Sequence, residues 1–161
     1  MIIIIFFLNY NNMESNELSN IDIINIIKDL KLDKYFGGIY SKNELPKQMM
    51  RKKFYIINLQ NSDEGEGTHW TCFYYNKPLT SIYFDAFGFI APKEVQNRIS
   101  PYIFNDQDIQ DYDSSACGYF CIAFIKFLHN KADIHTAFKS FINLFKIETF
   151  ENDKILHDIL Y

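Results

Sequence analysis

The chain has 161 residues, 48% of them apolar and 17% aromatic, so its length and composition fit one globular domain rather than a disordered chain. Its net charge of −4 and sequence pI of about 5.5 argue against DNA or an acidic membrane surface as a main partner. The three cysteines, Cys72, Cys117 and Cys121, cannot build a disulfide framework and favour a reducing compartment.

The first residues form an apolar run, Ile2 to Leu8, that no basic residue precedes. The run is too short to span a bilayer and lacks the charged region of a signal peptide. We expect residues 1–12 to be an N-terminal extension, with Met13 as the working start and a single domain over residues 13–161. An added edge strand or a weak interfacial anchor is the alternative interpretation of the run.

A first helix is predicted over residues 20–31. Ser19 and Asp22 have the spacing of a capping box, with Asp in place of the usual Glu. Apolar residues then recur on one helical face: Ile23, Ile26, Ile27 and Leu30. The pair Gly37-Gly38 and Pro46 predict a connecting loop after this helix.

The middle of the chain predicts three strands. Phe54 to Leu59 is almost continuously apolar, as in a strand covered on both faces. Residues 69–75 and 80–84 are rich in β-branched and aromatic side chains, and Asn76-Lys77-Pro78 between them makes a turn. The two segments therefore form a hairpin, which places His69 at the start of one strand beside Asp85 at the end of its partner.

After the hairpin, the sequence predicts a helix over residues 92–99, a strand over 102–104 and a polar loop over 105–115. Three further helices are predicted over residues 117–128, 133–145 and 152–161. In the helix that starts at Cys117, apolar residues repeat at three and four positions, which predicts burial along one stripe. This order of elements predicts an α+β fold with a small mixed or antiparallel sheet between helical layers.

Cys117 stands where a helix begins. Ser114-Ser115 before it can cap the helix, and a thiol there meets unpaired N–H groups and the positive end of the helix dipole, which favour the thiolate. Gly118 would let a substrate backbone approach closely. The alternative is a buried structural cysteine, which we expect Cys121 to be, one turn further along the apolar stripe.

Three further side chains complete a possible catalytic set. His69 follows a glycine-rich loop, and Asp85, among aromatic residues, needs a partner that His69 can supply. A half-exposed strand-end histidine and a turn-capping aspartate are the alternatives. Gln110 lies seven residues before Cys117, and Gln107 competes with it. Thiol, imidazole, carboxylate and amide are together the parts of a cysteine hydrolase.

These residues resemble the adenovirus maturation protease (adenain) family, cysteine peptidases related in fold to the SUMO-specific proteases. The resemblance rests on three segments that share the family's order and spacing: Gly67 to Phe73, Tyr83 to Phe89, and Gln110 to Cys121. Asp85 stands where adenain carries Glu. The resemblance covers most of the chain and places the family start near Met13.

The resemblance implies a papain-like architecture, close to that of the SUMO-specific proteases, with the nucleophile at a buried helix N-terminus. It implies Cys117 as nucleophile, His69 as general base and acid, and Asp85 as the carboxylate that orients the ring. Gln110, with the backbone N–H of Cys117, would form the oxyanion hole. Trp70 would wall a narrow groove that admits glycine beside the scissile bond.

The activity that the resemblance implies is cleavage of viral precursor proteins at Gly-containing sites during virion maturation, by a DNA virus, virophage or related mobile element. The expected location is the virion and the cytoplasm or viral factory of the infected cell, and the expected state a monomer. A protease for ubiquitin-like modifiers and an inactive binding relative are the alternatives.

No cofactor, metal or membrane partner is expected. Activation by DNA, as in adenain, is not expected of an acidic chain. Adenain also binds an activating peptide through a cysteine well before its nucleophile, but the stretch from Arg98 to Asp111 holds none. A covalent peptide cofactor is therefore not expected either.

Overall fold

In the computed structural model, which describes residues 17–64 and 69–161, five strands form one mixed sheet. The strands are adjacent in the order of the chain: β1 (Phe36–Ser41), β2 (Lys53–Asn58), β3 (Trp70–Tyr75), β4 (Ser81–Phe84) and β5 (Tyr102–Phe104). The pairs β2–β3 and β3–β4 are antiparallel, and the pairs β1–β2 and β4–β5 are parallel. The expected extension, residues 1–12, lies outside the described residues.

Among the described residues, five α-helices cover this sheet: α1 (Asn20–Asp29), α2 (Lys93–Ile99), α3 (Cys117–Leu128), α4 (Ile134–Asn143) and α5 (Asn152–Leu160). The larger hydrophobic core joins one sheet face to α1, α3, α4 and α5. A smaller core joins the other face to α2 through Val95 and Ile99. The domain is therefore mixed α and β, with a mixed five-stranded sheet, which agrees with the α+β prediction.

Strand β2 is covered on both faces, as its unbroken apolar sequence predicts. Phe54 and Ile56 lie in the larger core, whereas Tyr55 and Ile57 lie in the smaller one. The alternation follows from the period of two along a strand.

Strand β1 is not a loop, so the prediction from Gly37-Gly38 is wrong at this point. Residues 36–41 pair in parallel with β2, with an irregularity between Phe36 and Gly38. A Cβ on Gly37 would lie 2.3 Å from the ring of Tyr55, and Gly38 has a φ of +141°. The glycines therefore allow a close ring contact and a distorted backbone inside a strand, rather than a turn.

Helices α1 and α3 differ in how well the sequence predicted their capping and burial. The capping box of α1 is confirmed, because the Ser19 hydroxyl accepts a hydrogen bond from the Asp22 N–H and the Asp22 carboxylate accepts one from the Ser19 N–H. Helix α3 is buried at every residue from Cys117 to Ile125. The prediction that only one apolar stripe of this helix is buried is therefore wrong. Within the described ranges, no helix is long and apolar enough to cross a membrane.

Candidate active site

One end of the sheet gathers the predicted residues. Strands β1, β2, β4 and β5 run in the same direction and β3 runs against them, so their C-terminal ends lie beside the start of β3. Asp85 directly follows β4, and His69 and Trp70 stand at the start of β3. Helix α3 packs on β3 and begins at Cys117. The sheet and one helix thus bring distant parts of the chain together.

His69 and Asp85 form a close pair. The His69 Nε2 atom lies 2.8 Å from the Asp85 Oδ1 atom, and the aspartate is only 1% exposed. The same Oδ1 accepts a hydrogen bond from the Phe87 N–H at 2.8 Å. The hairpin prediction that these two residues are neighbours is therefore confirmed.

Asn105, beyond β5, fixes the backbone of Asp85 from both sides. Its Oδ1 accepts from the Asp85 N–H at 3.2 Å, and its Nδ2 donates to the Asp85 carbonyl oxygen at 2.6 Å. Asn105 is 4% exposed. The sequence analysis missed this residue because a single asparagine in a polar loop is not a distinctive signal.

Cys117 lies close enough to His69 to act on the pKa of its ring, so the imidazole has the carboxylate and the thiol as neighbours. Because Nε2 faces Asp85, Nδ1 is the ring nitrogen left for the sulfur. Burial lowers the pKa of His69, but hydrogen bonds and charge attraction from Asp85 and Cys117 outweigh it and raise the pKa from 6.5 to about 9. The site therefore favours an imidazolium at neutral pH.

The His69 ring stacks on Phe87, with 4.8 Å between ring centroids, and Phe87 in turn stacks on the exposed Tyr112 at 5.7 Å. Phe87 thus touches both the imidazole, through its ring, and the carboxylate, through its N–H. Its position two residues after Asp85, where a short turn bonds back to the aspartate side chain, is the signal that could have identified it.

The three cysteines have different surroundings. Cys72 and Cys121 are buried, and burial raises the pKa of both thiols well above the ordinary value. Cys117 is 3% exposed, but it opens helix α3, where its N–H has no partner within the helix, and it acts on the pKa of the neighbouring His69. Cys117 is therefore the thiol that has both an adjacent base and a helix N-terminus.

Ser114 organises the loop before Cys117, but not in the predicted way. The N-cap residue of α3 is Ala116, which makes no side-chain cap. The Ser114 hydroxyl accepts instead from the Ala116 N–H at 3.2 Å and donates to the Asp153 carboxylate at 3.1 Å. The cap prediction is wrong in detail, since the serine holds the turn before the helix and leaves the first helical N–H groups unpaired.

Gln110 lies inside the protein and not at its surface. It is 1% exposed, and its Nε2 donates to the Ser114 carbonyl oxygen at 2.7 Å. Its main-chain N–H donates to the Ala86 carbonyl oxygen at 2.9 Å, next to Asp85. Gln107 is partly exposed, and only its main-chain oxygen bonds to Asn105. Burial and anchoring favour Gln110 over Gln107.

Trp70 borders a surface cleft of about 580 Å³ at this end of the sheet. The indole is 6% exposed, and its Nε1 donates to the Leu18 carbonyl oxygen at 2.8 Å. Residues 17–21 and the end of β1 line the same cleft. The position of Trp70 suits the predicted groove wall.

Gly118 has a different role from the predicted one. It is buried, and a Cβ at this position would lie 3.2 Å from Leu18 and 3.4 Å from Ile23. The missing side chain therefore leaves room for protein atoms and not for a substrate. The structure corrects the substrate-binding prediction for Gly118 to one of close packing between the N-terminal segment and α3.

Comparisons with known proteins leave the family open, because the sequence matches neither a protein-family model nor a curated protein. Among residues 17–64 and 69–161, no group of histidine, cysteine and acidic side chains is arranged to hold a metal ion.

Proposed function

We propose that this chain is a cysteine endopeptidase that cleaves viral precursor proteins at Gly-containing sites during virion maturation. The observation that carries the proposal is the His69–Asp85 hydrogen bond beside Cys117, whose thiol acts on the pKa of His69 and stands at the first residue of a helix. A nucleophile, a base and a group that orients the base, within bonding reach, are the signature of nucleophilic catalysis.

In the proposed first step, the Cys117 sulfur attacks the carbonyl carbon of the scissile peptide bond. His69 Nδ1 takes the thiol proton as the sulfur attacks, and the raised pKa of His69 favours the imidazolium that results. The His69 Nδ1–H then gives its proton to the leaving amine, and the carbon–nitrogen bond breaks. Asp85 keeps the ring oriented and stabilises its positive charge.

The tetrahedral oxyanion would lie between two donors. Cys117 has a main-chain N–H without a helical partner, and Gln110 has a second Nε2 hydrogen beyond the one donated to Ser114. Preorganised donors of this kind stabilise charge that develops in the transition state. In the second step, water activated by His69 attacks the thioester, and the acid product leaves with Cys117 restored as a thiol.

The viral substrate and the finer fold rest on the resemblance to the adenovirus maturation protease family. A nucleophile at the start of a buried helix, packed on a sheet that carries the histidine and the acid, supports a papain-like architecture of the SUMO-specific protease type. The proposed site of action is the virion and the cytoplasm or viral factory of the infected cell. The proposed protein acts as a monomer without a cofactor.

Incubation with the virion precursor proteins of the same genetic element, with cut sites read by mass spectrometry, tests the proposal. We expect cuts beside glycine that disappear with Cys117→Ala. A ubiquitin-like protein with a fusion after its terminal Gly-Gly serves as the second substrate. Cleavage of that fusion alone would assign the enzyme to deconjugation. No cleavage, together with no reaction of Cys117 with a peptide aldehyde at neutral pH, would refute a protease.

A further inference from the structure

We propose that the first two residues of helix α5, Asn152 and Asp153, are a clamp that positions Gln110 for its role in the oxyanion hole. This inference rests on the proposed function, in which Gln110 donates to the oxyanion, and adds positioning residues to it. Both side chains of this C-terminal clamp bond to the loop that precedes Cys117. They hold that loop at the two points where Gln110 is attached.

Asn152 holds the peptide group that leads into Gln110. Its Nδ2 donates to the Ile109 carbonyl oxygen at 2.9 Å, and both Asn152 and Ile109 are 0% exposed. The N–H of the same peptide group, which belongs to Gln110, donates to the Ala86 carbonyl oxygen at 2.9 Å. Because a peptide group is planar, bonds at its oxygen and at its N–H together fix the plane from which the Gln110 side chain departs.

The other bonds of Asn152 anchor the clamp between α4 and α5. The Nδ2 group also donates to the Lys146 carbonyl oxygen at 2.8 Å, and Oδ1 accepts from the Lys146 N–H at 2.8 Å. These bonds use both hydrogens of the amide and fix which amide atom is the oxygen. The Ile109 carbonyl is therefore held by a side chain that cannot turn without losing three bonds.

Asp153 acts on the other end of Gln110, through Ser114. The Gln110 Nε2 donates to the Ser114 carbonyl oxygen at 2.7 Å, and the Ser114 hydroxyl donates to the Asp153 carboxylate at 3.1 Å. Adjacent residues of α5 thus hold the main chain of Gln110 and the acceptor of its side-chain amide. The second Nε2 hydrogen, which the proposed mechanism uses, is thereby fixed in direction.

This geometry matters for the reaction because a donor stabilises an oxyanion strongly only when it is in place before the charge develops. Asn152→Ala would leave the Ile109 carbonyl without its donor, so the main chain at Gln110 would no longer be held from that side. The sulfur of Cys117 is not part of these contacts. We therefore expect the variant to lose oxyanion stabilisation and to keep the reactivity of the thiol.

The test compares reactions of Asn152→Ala that do and do not form an oxyanion. We expect kcat on a glycine-containing peptide to fall about 10–50-fold with KM within about threefold. A peptide aldehyde, which adds to the sulfur and places its oxygen in the oxyanion hole, should bind more weakly by a similar factor. Alkylation of Cys117 by iodoacetamide forms no oxyanion, so its rate should stay within about twofold.

Two further proteins serve as controls. Asn76→Ala removes another buried asparagine, directly after β3, and should leave kcat and aldehyde binding within about twofold. In a Gln110→Ala background, Asn152→Ala should lower kcat by less than about threefold more, because its effect passes through Gln110. If Asn152→Ala does not fold, the partly exposed Asp153→Ala decides, with kcat about 3–10-fold lower and alkylation unchanged.

Equal losses of kcat and of alkylation rate would overturn the clamp, as would unchanged kcat or independent effects of Asn152→Ala and Gln110→Ala. The nuclear magnetic resonance signal of the Gln110 side-chain amide is a readout that needs no activity. It should shift in the folded Asn152→Ala or Asp153→Ala protein but not in Asn76→Ala. A shifted signal without any cleavage by the unaltered protein would support the clamp and refute the proposed protease, whereas cleavage with an unshifted signal would refute the clamp alone.

Discussion

The two ends of the sheet both bury polar side chains, but they differ in whether each buried polar atom of the described residues has a hydrogen-bond partner. At the hairpin end, Asn76 is 7% exposed and its main-chain N–H donates to the Ser81 hydroxyl at 3.0 Å. Its Nδ2 donates to the Thr80 carbonyl oxygen at 3.1 Å, and its Oδ1 accepts from the Arg51 Nε at 3.2 Å. Each buried polar side-chain atom of Asn76 thus has a partner among the described residues.

At the opposite end, buried polar atoms stay without partners in the described part of the chain: Asp85 Oδ2 and Gln110 Oε1. Buried groups are almost always paired when their role is structural. The difference indicates that the hairpin end is built for stability and the Cys117 end for contact with a further molecule.

The largest expected effect is the loss of activity in Cys117→Ala. Removal of the nucleophile should lower kcat on a precursor substrate by about 10⁴-fold or more. The matched control is Cys121→Ala, which should keep full activity and lose about 1–2 kcal/mol of unfolding free energy, because it leaves a small cavity. Comparable kcat values in the two variants would contradict the assignment of the nucleophile.

Gln110→Ala should lower kcat by about 10²–10³-fold, since one oxyanion donor is lost. The control is Gln107→Ala in the same loop, with activity within about twofold of the unaltered protein. Steady-state kinetics on one peptide substrate compares them. A larger loss of kcat in the Gln107 variant would assign the oxyanion donor to Gln107 instead of Gln110.

The pH profile tests the Asp85–His69 pair. The imidazolium is the form that protonates the leaving amine, so kcat/KM should fall as pH rises through the His69 pKa of about 9. Asp85→Asn removes the negative charge that raises this pKa, so the alkaline limb should move toward the ordinary value of 6.5. Asp113→Asn, an exposed change in the loop before Cys117, should leave the limb in place. If the alkaline limb of the pH profile stayed in place in Asp85→Asn, the Asp85–His69 pair could not be its cause.

The smallest effect on activity is expected at the other end of the sheet. Asn76→Ala should cost about 1–3 kcal/mol of unfolding free energy, because it leaves the Arg51 and Thr80 groups without their partner. Turnover of the folded protein should be unchanged. Chemical denaturation and kinetics on the same preparation measure both quantities. If the fully folded Asn76→Ala protein lost turnover, the contrast between a structural hairpin end and a functional Cys117 end would be wrong.

Much of the fold could be predicted because the strongest signals are local. Local patterns identified β2, the hairpin and the five α-helices of the described residues to within a few residues, but not the two short 3-10 helices, Asp33–Tyr35 and Thr149–Glu151. Strand β1 was missed, because the Tyr55 ring that occupies the space beside Gly37 comes from a strand 18 residues later. Gly118 was misassigned for the same reason, since Leu18 is a hundred positions away in the chain.

By itself, the sequence determined the elements, the chemical types of the candidate residues and the neighbourhood of His69 and Asp85, because a short hairpin joins its own ends. Only the tertiary structure decided that His69 also reaches Cys117, that Gln110 is buried and anchored on Ser114, and that Gly118 serves packing. Each of these depends on α3 docking against the sheet, and contacts between distant segments are set by burial of the whole core rather than by any local pattern.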